Sequence, residues 1–595
     1  MSQYNPPLDD LRFALRTHAN IDEVLALPTA NGVDLDTVDA ILDEASKFAS
    51  ANWSECNRTG DINGARLDNG TVHSDPSFAQ AYKDFCEAGW NSLLQPEEFG
   101  GQALPSTISA ACDEMWYGGN LSLSLLPMLT GGASAAINAH ASDAIKQKFL
   151  PNMTSGVWSG TMNLTEPQAG TDLSKVASKA VPNGDDTYAV SGQKIFITWG
   201  EHELAENIIH LVLARLPDAA PGVKGISLFV VPKYWVNDDG SLGERNKLQC
   251  VAIEHKMGIH GSPTCVMQFE GARGYLVGEA GKGLNYMFTM MNHARLCVGI
   301  EGHAVAERAF QHALAYTKER VQSKPIDGSS ADAVTIIHHP DIRRMLLTQK
   351  ATLEAQRAMF LMTASMLDKA HSHPNPEEAQ KAQALVDFMI PIVKASCTEN
   401  GTTLTNMALQ CFGGMGFVEE TGAAQFVRDV RITAIYEGTN GVQALDLIGR
   451  KTASNGGQSA GMVLQMAKDT NEQLRKIVPE MAKKLDRAID LAQQTVQYVV
   501  QSFNDKKPEL AATGSLPYLM QMAVTIGAVM SAKSYVAATE ALKDLDNAVF
   551  SESFYRNKLA TVQVYFDYVL PQVESYAIQV LSGAQSILNI DVERI

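Results

Sequence analysis

Met162-Asn163-Leu164-Thr165-Glu166-Pro167-Gln168-Ala169-Gly170-Thr171-Asp172 is where the chain changes character. From about residue 36 to 150, before it, apolar residues recur at spacings of three and four, as Val38, Ile41, Leu42 and Ala45 do, which predicts helices. Asp36 and Thr37 stand where a cap is expected. The Gly- and Pro-rich stretch 88–106 reads as loop. From about 157 to 275 the pattern is different. Short β-prone runs (Thr187–Val190, Ile195–Thr198, Ile208–Leu213, Ile226–Val231) alternate with turn signals, and Asn183-Gly184 and Asp239-Gly240 are hairpin dipeptides. That spacing predicts an antiparallel sheet domain.

After Gly283 the periodicity is helical again, over 283–322, 340–370, 376–411 and 440–451. Long helices with few strand signals predict a bundle. Thr452–Ser459 (TASNGGQS) reads as a linker. Beyond it Leu474, Val478, Met481, Leu485, Ala488, Ala492, Val496 and Val499 recur at helical spacing, and Pro479 marks a helix start. The division expected is a lead segment (1–35), an N-terminal helical domain (36–156), a β domain (157–275), a helical bundle (276–451) and a helical extension (460–595). The fold class is mainly α with a central β domain.

Composition bounds the function. The 595 residues leave room for about three or four domains at roughly 150 residues each. Hydrophobic residues make up 45% and charged residues 19%, which excludes wholesale disorder. A net charge of −18 repels phosphate backbones and anionic lipid, so nucleic-acid binding is not expected. Eight scattered cysteines without a C-x-x-C speak for a reducing compartment, and the absence of zinc-type His/Cys spacing for no metal. The opening MSQYNPPLDDLRFALR lacks the basic end and apolar run of a signal peptide, and no apolar stretch is read as approaching the roughly 20 residues that span a bilayer. A cytoplasmic location is expected.

The familiar nucleotide motifs are absent. Gly414-x-Gly416 lacks its third glycine and follows a helical run. Gly278-Glu279-Ala280-Gly281-Lys282-Gly283 has Leu276 where a Walker A needs glycine, and reads as a tight turn before a helix. Four other segments carry chemistry when taken together. Met162–Asp172 offers hydroxyls and close backbone approach to an anion or ring edge. Lys194-Ile195-Phe196-Ile197-Thr198-Trp199-Gly200 places an aromatic beside a Thr, a pair able to stack on a planar group and bond its edge. Ala408-Leu409-Gln410-Cys411-Phe412-Gly413-Gly414-Met415-Gly416-Phe417 ends a helix in clustered glycines. In Arg428–Asn440 the carboxylate of Glu437 interrupts a run of mostly apolar residues before a Gly-Thr turn, which suits a general base. Singly, each has an ordinary structural reading: polar loop, buried strand, helix C-cap, surface Glu.

The order T-E-P-x-A-G-T-D, I-F-I-T, K-M-G-I-H-G-S-P-T (Lys256–Thr264), Q-x-F-G-G-x-G and I-Y-E-G-T resembles the acyl-CoA dehydrogenase family over residues 36–450. The opening P-L-D-D-L-R-F and the extension resemble its longer subgroup, which includes 3-(methylthio)propanoyl-CoA dehydrogenases. The resemblance implies FAD lying between a β domain and a four-helix bundle, partly covered by a second subunit. It also implies dehydrogenation of an acyl-CoA to the trans-2-enoyl-CoA. Glu437 is then the base for the α-proton. The alternative base position on the helix after K-M-G-I is Ala294, which cannot serve.

By the same resemblance, Leu164, Thr165, Gly170, Thr171, Phe196 and Thr198 contact FAD, Phe196 replacing a more usual Trp. Arg320, Gln410, Gly413 and Gly414 reach FAD from the neighbouring subunit, and Thr439 follows the base. Asn292 and Arg295 fall where CoA is contacted. Two departures stand out: Arg320 is followed by Val321-Gln322-Ser323 and an inserted loop, and Gly441 replaces a frequent polar FAD ligand. An electron-transfer flavoprotein is the implied acceptor and a homodimer the implied assembly. An acyl-CoA oxidase is the alternative enzyme. A flavin-bearing DNA-protection protein of the alkylation-response type needs a basic C-terminal surface, whereas residues 451–595 carry 14 basic and 15 acidic residues.

Overall fold

The computed structural model describes residues 2–594. The chain divides into two compact units that interleave in sequence. Met1–Lys47, Pro105–Gly118 and Val298–Ile595 form a helical unit; Phe48–Leu104 and Gly119–Cys297 form a sheet-bearing unit.

In the sheet-bearing unit the β-prone runs become a seven-stranded sheet. Its strands follow the order Leu248–Ile253, Thr264–Val277, Tyr188–Thr198, Lys179–Pro182, Asn207–Arg215 and Trp158–Asn163, with Ile226–Pro232 paired to both Thr264–Val277 and Asn207–Arg215. Both hairpin dipeptides sit in hairpin loops, between Lys179–Pro182 and Tyr188–Thr198, and between Tyr234–Val236 and Leu242–Arg245. The sheet is not wholly antiparallel: Trp158–Asn163 runs parallel to Asn207–Arg215, with Gly160 opposite Ile209. The helix Leu121–His140 packs on that strand, where Ala133 and Gly160 allow close approach. Ile209, Leu211, Leu213, Phe149 and Trp158 fill the core beneath.

The unit also holds a hairpin of two three-residue strands, Arg66–Asp68 and Thr71–His73, inside the stretch read as all helix. Gly278 and Gly281, at φ +60° and +77°, make the tight turn before the helix Gly283–Glu319.

The helical unit contains Pro340–Ser372, Pro376–Cys411 and the C-terminal part of Gly283–Glu319, with the extension helices Gln458–Arg475, Pro479–Asn504 and Ser515–Ala541 beyond. Pro479 opens its helix as expected. Two corrections follow at helix ends. The first long helix begins at Leu35 and its cap is Asp34, whose carboxylate accepts the Thr37 N–H at 2.8 Å; Asp36 is inside the first turn. The TASNGGQS stretch is not an extended linker. Helical turns continue through Asn455, and the buried Thr452 meets Tyr518 Oη at 3.2 Å.

The lead segment belongs with the extension. Phe13 on the helix Leu8–Thr17 packs edge-on against Phe550, Phe554 and Tyr555, and Asp10 pairs with the buried Lys558. Two helices, Leu121–His140 and Ser515–Ala541, are long and apolar enough to cross a membrane, contrary to the sequence reading; 78% and 89% of their apolar windows are buried, which marks them as core helices.

One buried cluster of charge in this unit is a network. Arg357 Nε donates to Glu114 Oε2 at 2.9 Å and its Nη2 to Glu307 Oε2 at 3.0 Å, with His303 3.1 Å from Glu114. Burial alone would raise the Glu114 carboxyl; Arg357 and His303 outweigh it and hold it at about 2. Arg357→Met strands that carboxylate, and the expected loss is about 3–5 kcal/mol, read as a lower urea midpoint.

Candidate active site

The sheet-bearing unit brings three of the sequence motifs together. Ile195 N–H donates to Thr165 O at 2.9 Å, which lays the T-E-P loop along the I-F-I-T strand. Thr198 pairs with Thr264, the last residue of K-M-G-I-H-G-S-P-T, and Trp199 N–H donates to Pro263 O at 2.8 Å. The fastening is ionic. Lys194 is fully buried and its Nζ donates to Leu164 O at 3.0 Å and Glu166 Oε1 at 2.8 Å. Glu166 also accepts from Ala177 N at 2.7 Å, Ser178 N at 3.0 Å and Ser178 Oγ at 2.6 Å. Burial would raise the Glu166 carboxyl, but Lys194 and these donors hold it at about 2. The Glu of T-E-P is thus an anchor.

That anchor frames an open face. Phe196 and Trp199 both adopt left-handed backbone, φ +60° and +53°, which costs a non-glycine residue on the order of 1–3 kcal/mol. The two kinks separate the rings. Trp199 is fully buried with its Nε1 on Ser122 O at 3.1 Å, while Phe196 stays 59% exposed. Leu164 is buried, Thr165 and Thr198 are half-buried, and Gly170 and Thr171 are exposed. An exposed ring beside hydroxyls and an open glycine suits a planar, anionic group. On the first turns of Gly283–Glu319, Asn292 is exposed, and Arg295 Nη1 donates to its Oδ1 at 3.4 Å; Ala294 is buried.

In the helical unit Glu437 is half-buried and lies on a turn, with φ +55°; it is not at a helix start. Gly438 follows at φ +85°, where any Cβ would lie 2.6 Å from Gln443 Nε2. Lys394, fully buried, donates to Gly438 O and Asn440 Oδ1, each at 2.9 Å. Asn440 Nδ2 in turn donates to Glu399 Oε1 at 2.8 Å and Thr398 Oγ1 at 2.9 Å. Gln443 Nε2 reaches Glu437 O at 3.4 Å, and Thr439 Oγ1 caps the next helix by accepting Val442 N–H at 3.4 Å.

Behind the turn, Tyr436 Oη donates to Glu301 Oε2. Glu301 is fully buried. Burial pushes its carboxyl up to about 8; the negative charge of Glu437 adds to the rise, and Tyr436 and Lys394 oppose it. Glu301 and Lys394 escaped the sequence reading, and Tyr436 and Asn440 lay in the Glu437 segment without a role assigned to them. The available signal was a lone charged residue inside an apolar run, Glu301 in V-G-I-E-G-H and Lys394 in P-I-V-K-A-S-C.

Tyr316 stacks on Phe412 with ring centroids 4.4 Å apart, joining the end of the Arg320 helix to the Q-C-F-G-G segment. Gln410, Gly413 and Gly414 are exposed, and a Cβ on either glycine would meet nothing within 4 Å. Arg320 is exposed and its Nη2 donates to Gln322 Oε1 at 3.3 Å. A cavity of about 330 Å³ between the bundle and the extension, walled by Gln356, Ser396, Glu399, Met520 and Tyr565 among others, has no cationic residue and is unsuited to CoA phosphates.

Comparison with known proteins finds relatives along nearly the whole chain. Family models match the chain in series: acyl-CoA dehydrogenase N-terminal domain at 37–157, middle domain at 161–272, C-terminal domain at 281–452, and an acetyl-CoA dehydrogenase C-terminal-like domain at 460–591. The chain is 43% identical over 98% of its length, and 99% of the relative's, to 3-methylmercaptopropionyl-CoA dehydrogenase of Ruegeria pomeroyi. It is 35% identical over 95%, and 94% of the relative's length, to a butyryl-CoA dehydrogenase of Syntrophomonas wolfei. Among solved structures, Caenorhabditis elegans ACDH-11 in complex with C11-CoA matches 100% of this chain and 97% of its own with a TM-score of 0.75 at 17% identity. An acyl-CoA dehydrogenase complexed with FAD from Bacillus anthracis matches 95% and 92% with a TM-score of 0.72 at 20% identity.

The Lys194–Glu166 anchor has an acid signature. A carboxyl held at about 2 against its ordinary 4.5 contributes stability that is complete above 4.5 and is lost as pH falls toward 2. Glu166→Gln strands Lys194, and its urea midpoint is expected to fall at neutral pH and to vary less than the parent's over that acid window.

Proposed function

The chain belongs to the acyl-CoA dehydrogenase family, and from its site residues we propose that Glu437 is the base with which it removes the α-proton of an acyl-CoA thioester. The activity is FAD-dependent α,β-dehydrogenation to the trans-2-enoyl-CoA. The observation that carries the role of Glu437 is its backbone. A carboxylate residue is held in a left-handed turn that Lys394, Asn440 and Gln443 fasten from behind. Strain of that kind persists where surrounding bonds over-determine it, and it collects at functional sites.

The chemistry asks for such a carboxylate. The α-proton of a thioester is too weakly acidic for a carboxylate in water. Hydrogen bonds to the thioester carbonyl acidify it, and a half-buried Glu is the stronger base. The backbone N–H of Glu437 is the carbonyl donor this chain offers by family resemblance. FAD, when bound, supplies the acceptor for the β-hydride. Its ring would lie on Phe196 with Thr198, Leu164 and Thr165 at its edge, and its pyrophosphate near Gly170 and Thr171. The exposed ring and open glycine of that face fit such a group. Arg320, Gln410, Gly413 and Gly414 would serve the cofactor across a homodimer, and Thr439 is a further proposed cofactor contact. Asn292 and Arg295 would meet CoA.

The substrate read here is 3-methylmercaptopropionyl-CoA or another short acyl-CoA, after the relatives matched along nearly the whole chain. An electron-transfer flavoprotein would take the electrons; a solved structure titled for such a flavoprotein of Acidaminococcus fermentans matches 70% of this chain and 97% of its own with a TM-score of 0.56 at 25% identity. We place the enzyme in the cytoplasm, and we divide it as a lead segment to residue 35, an N-terminal domain to 156, a β domain to 275, a bundle to 451 and an extension from 460.

Anaerobic addition of 3-methylmercaptopropionyl-CoA or butyryl-CoA to the yellow holoenzyme should bleach the flavin, and Glu437→Gln should slow bleaching by about 10²–10⁴-fold. A variant that bleaches at the parent rate removes Glu437 from this role. Sedimentation should give the mass of two chains; a mass of four sinks the dimer.

A further inference from the structure

Glu301 is a buried carboxyl that the activity described above does not use. It sits on the helix Gly283–Glu319, and the side chain that meets its Oε2 is that of Tyr436, the residue before the base. Its other oxygen, Oε1, is buried without a hydrogen-bond partner. A buried carboxylate with one oxygen unpaired is costly; a neutral carboxylic acid in the same place is tolerable. The groups that face it favour the neutral form. Glu437 on the turn and Asp113 on the helix Ser106–Gly119 bring negative charge, opposed by the cation Lys394 on Pro376–Cys411 and the hydrogen bond from Tyr436. Asp113 is itself pushed up to about 7, chiefly by burial.

We infer that Glu301 is a positioning residue for the base: through Tyr436 it fixes the turn that carries Glu437, and its own proton sets how much negative charge Glu437 faces. The inference rests on the reading of Glu437 as the base. The turn is held on both sides of the base. Lys394 pins the carbonyl of Gly438 after it, and Glu301 pins the side chain of Tyr436 before it. A residue at φ +55° relaxes readily when one such pin is lost. In the reaction the substrate α-proton ends on Glu437, and the proton of Glu301 stays where it is. When Glu301 ionises, a second negative charge opposes the ionised Glu437, and that repulsion is relieved as Glu437 takes up its proton. Above a pH of about 8 the limiting rate should therefore rise.

The test is stopped-flow flavin reduction of the holoenzyme by saturating butyryl-CoA, from neutral to alkaline pH. It is run on the parent, Glu301→Gln, Tyr436→Phe and Glu437→Gln. Glu301→Gln keeps shape and an acceptor for Tyr436 but cannot ionise, so the alkaline rise should vanish. Tyr436→Phe should lower the limiting rate roughly tenfold with little change in the half-saturating substrate concentration. A readout independent of turnover is the infrared carbonyl band of a buried carboxylic acid, expected to disappear at a pH of about 8 in the parent and to be missing in Glu301→Gln. If Glu437→Gln is dead while Glu301→Gln and Tyr436→Phe keep the parent rate and pH profile, the inference falls and the base stands. If Glu437→Gln reduces its flavin at the parent rate, the base reading has failed instead.

Discussion

A carboxylate side chain at φ +55° is the constraint around which the helical unit is organised. Glycine would sit there without strain, but glycine carries no base. Under the proposed role of Glu437 the residue has to carry a carboxyl, and the cost, on the order of 1–3 kcal/mol, has to be met by neighbours that leave the backbone no alternative. Lys394 is the central one. A lysine buried completely is expensive unless every proton on its ammonium is used, and its Nζ finds Gly438 O and Asn440 Oδ1. Asn440 passes the constraint on to Thr398 and Glu399 one turn along Lys394's own helix. The turn is thus tied to a 36-residue helix that itself packs against Pro340–Ser372.

The sheet-bearing unit solves a related problem by the same means. Its Phe196 presents an apolar ring to solvent. It stays out because two left-handed residues three positions apart turn the strand twice, sending Trp199 inward and Phe196 outward. The Lys194–Glu166 pair locks the T-E-P loop behind the kinked strand. In both units a buried lysine holds a peptide carbonyl, Leu164 O in one and Gly438 O in the other, next to a strained residue with a candidate role in catalysis.

Much of this was legible in the sequence, because the signals were local. The Asn183-Gly184 and Asp239-Gly240 loops announced their hairpins, and Pro479 announced its helix. What failed to show was non-local or too short to show a period. Trp158–Asn163 takes its parallel partner from residues 207–212, a register no local pattern encodes. The strands at Arg66–Asp68 and Thr71–His73 are three residues each. Asp34 and Asp36 are equally good caps by type, and only the backbone decides between them. At the site, motif residues such as Phe196 and Glu437 could be named from sequence, but the residues that hold them could not. Lys194 and Glu166 lay inside motifs and read as candidate ligands' neighbours, whereas their bond to each other spans 28 positions.

Glu301 shows why such supports stay hidden. In sequence it is one acid in a helix, and an acid in a helix is most often solvated. Its meaning comes from three elements that converge on it: the Tyr436 turn, the Lys394 helix and the Asp113 helix. Two carboxyls that face each other cannot both ionise cheaply, so their environments must separate them. Glu437 is half-buried on an outer turn and Glu301 is sealed inside the unit, where burial pushes its carboxyl up to about 8. The proposed base then faces a neutral group at neutral pH and a second negative charge only above a pH of about 8. The burial of Glu301 provides that, and an apolar residue in its place would remove the charge but also the acceptor that holds Tyr436. A neutral carboxylic acid keeps that acceptor in place and, unlike an amide, can still ionise.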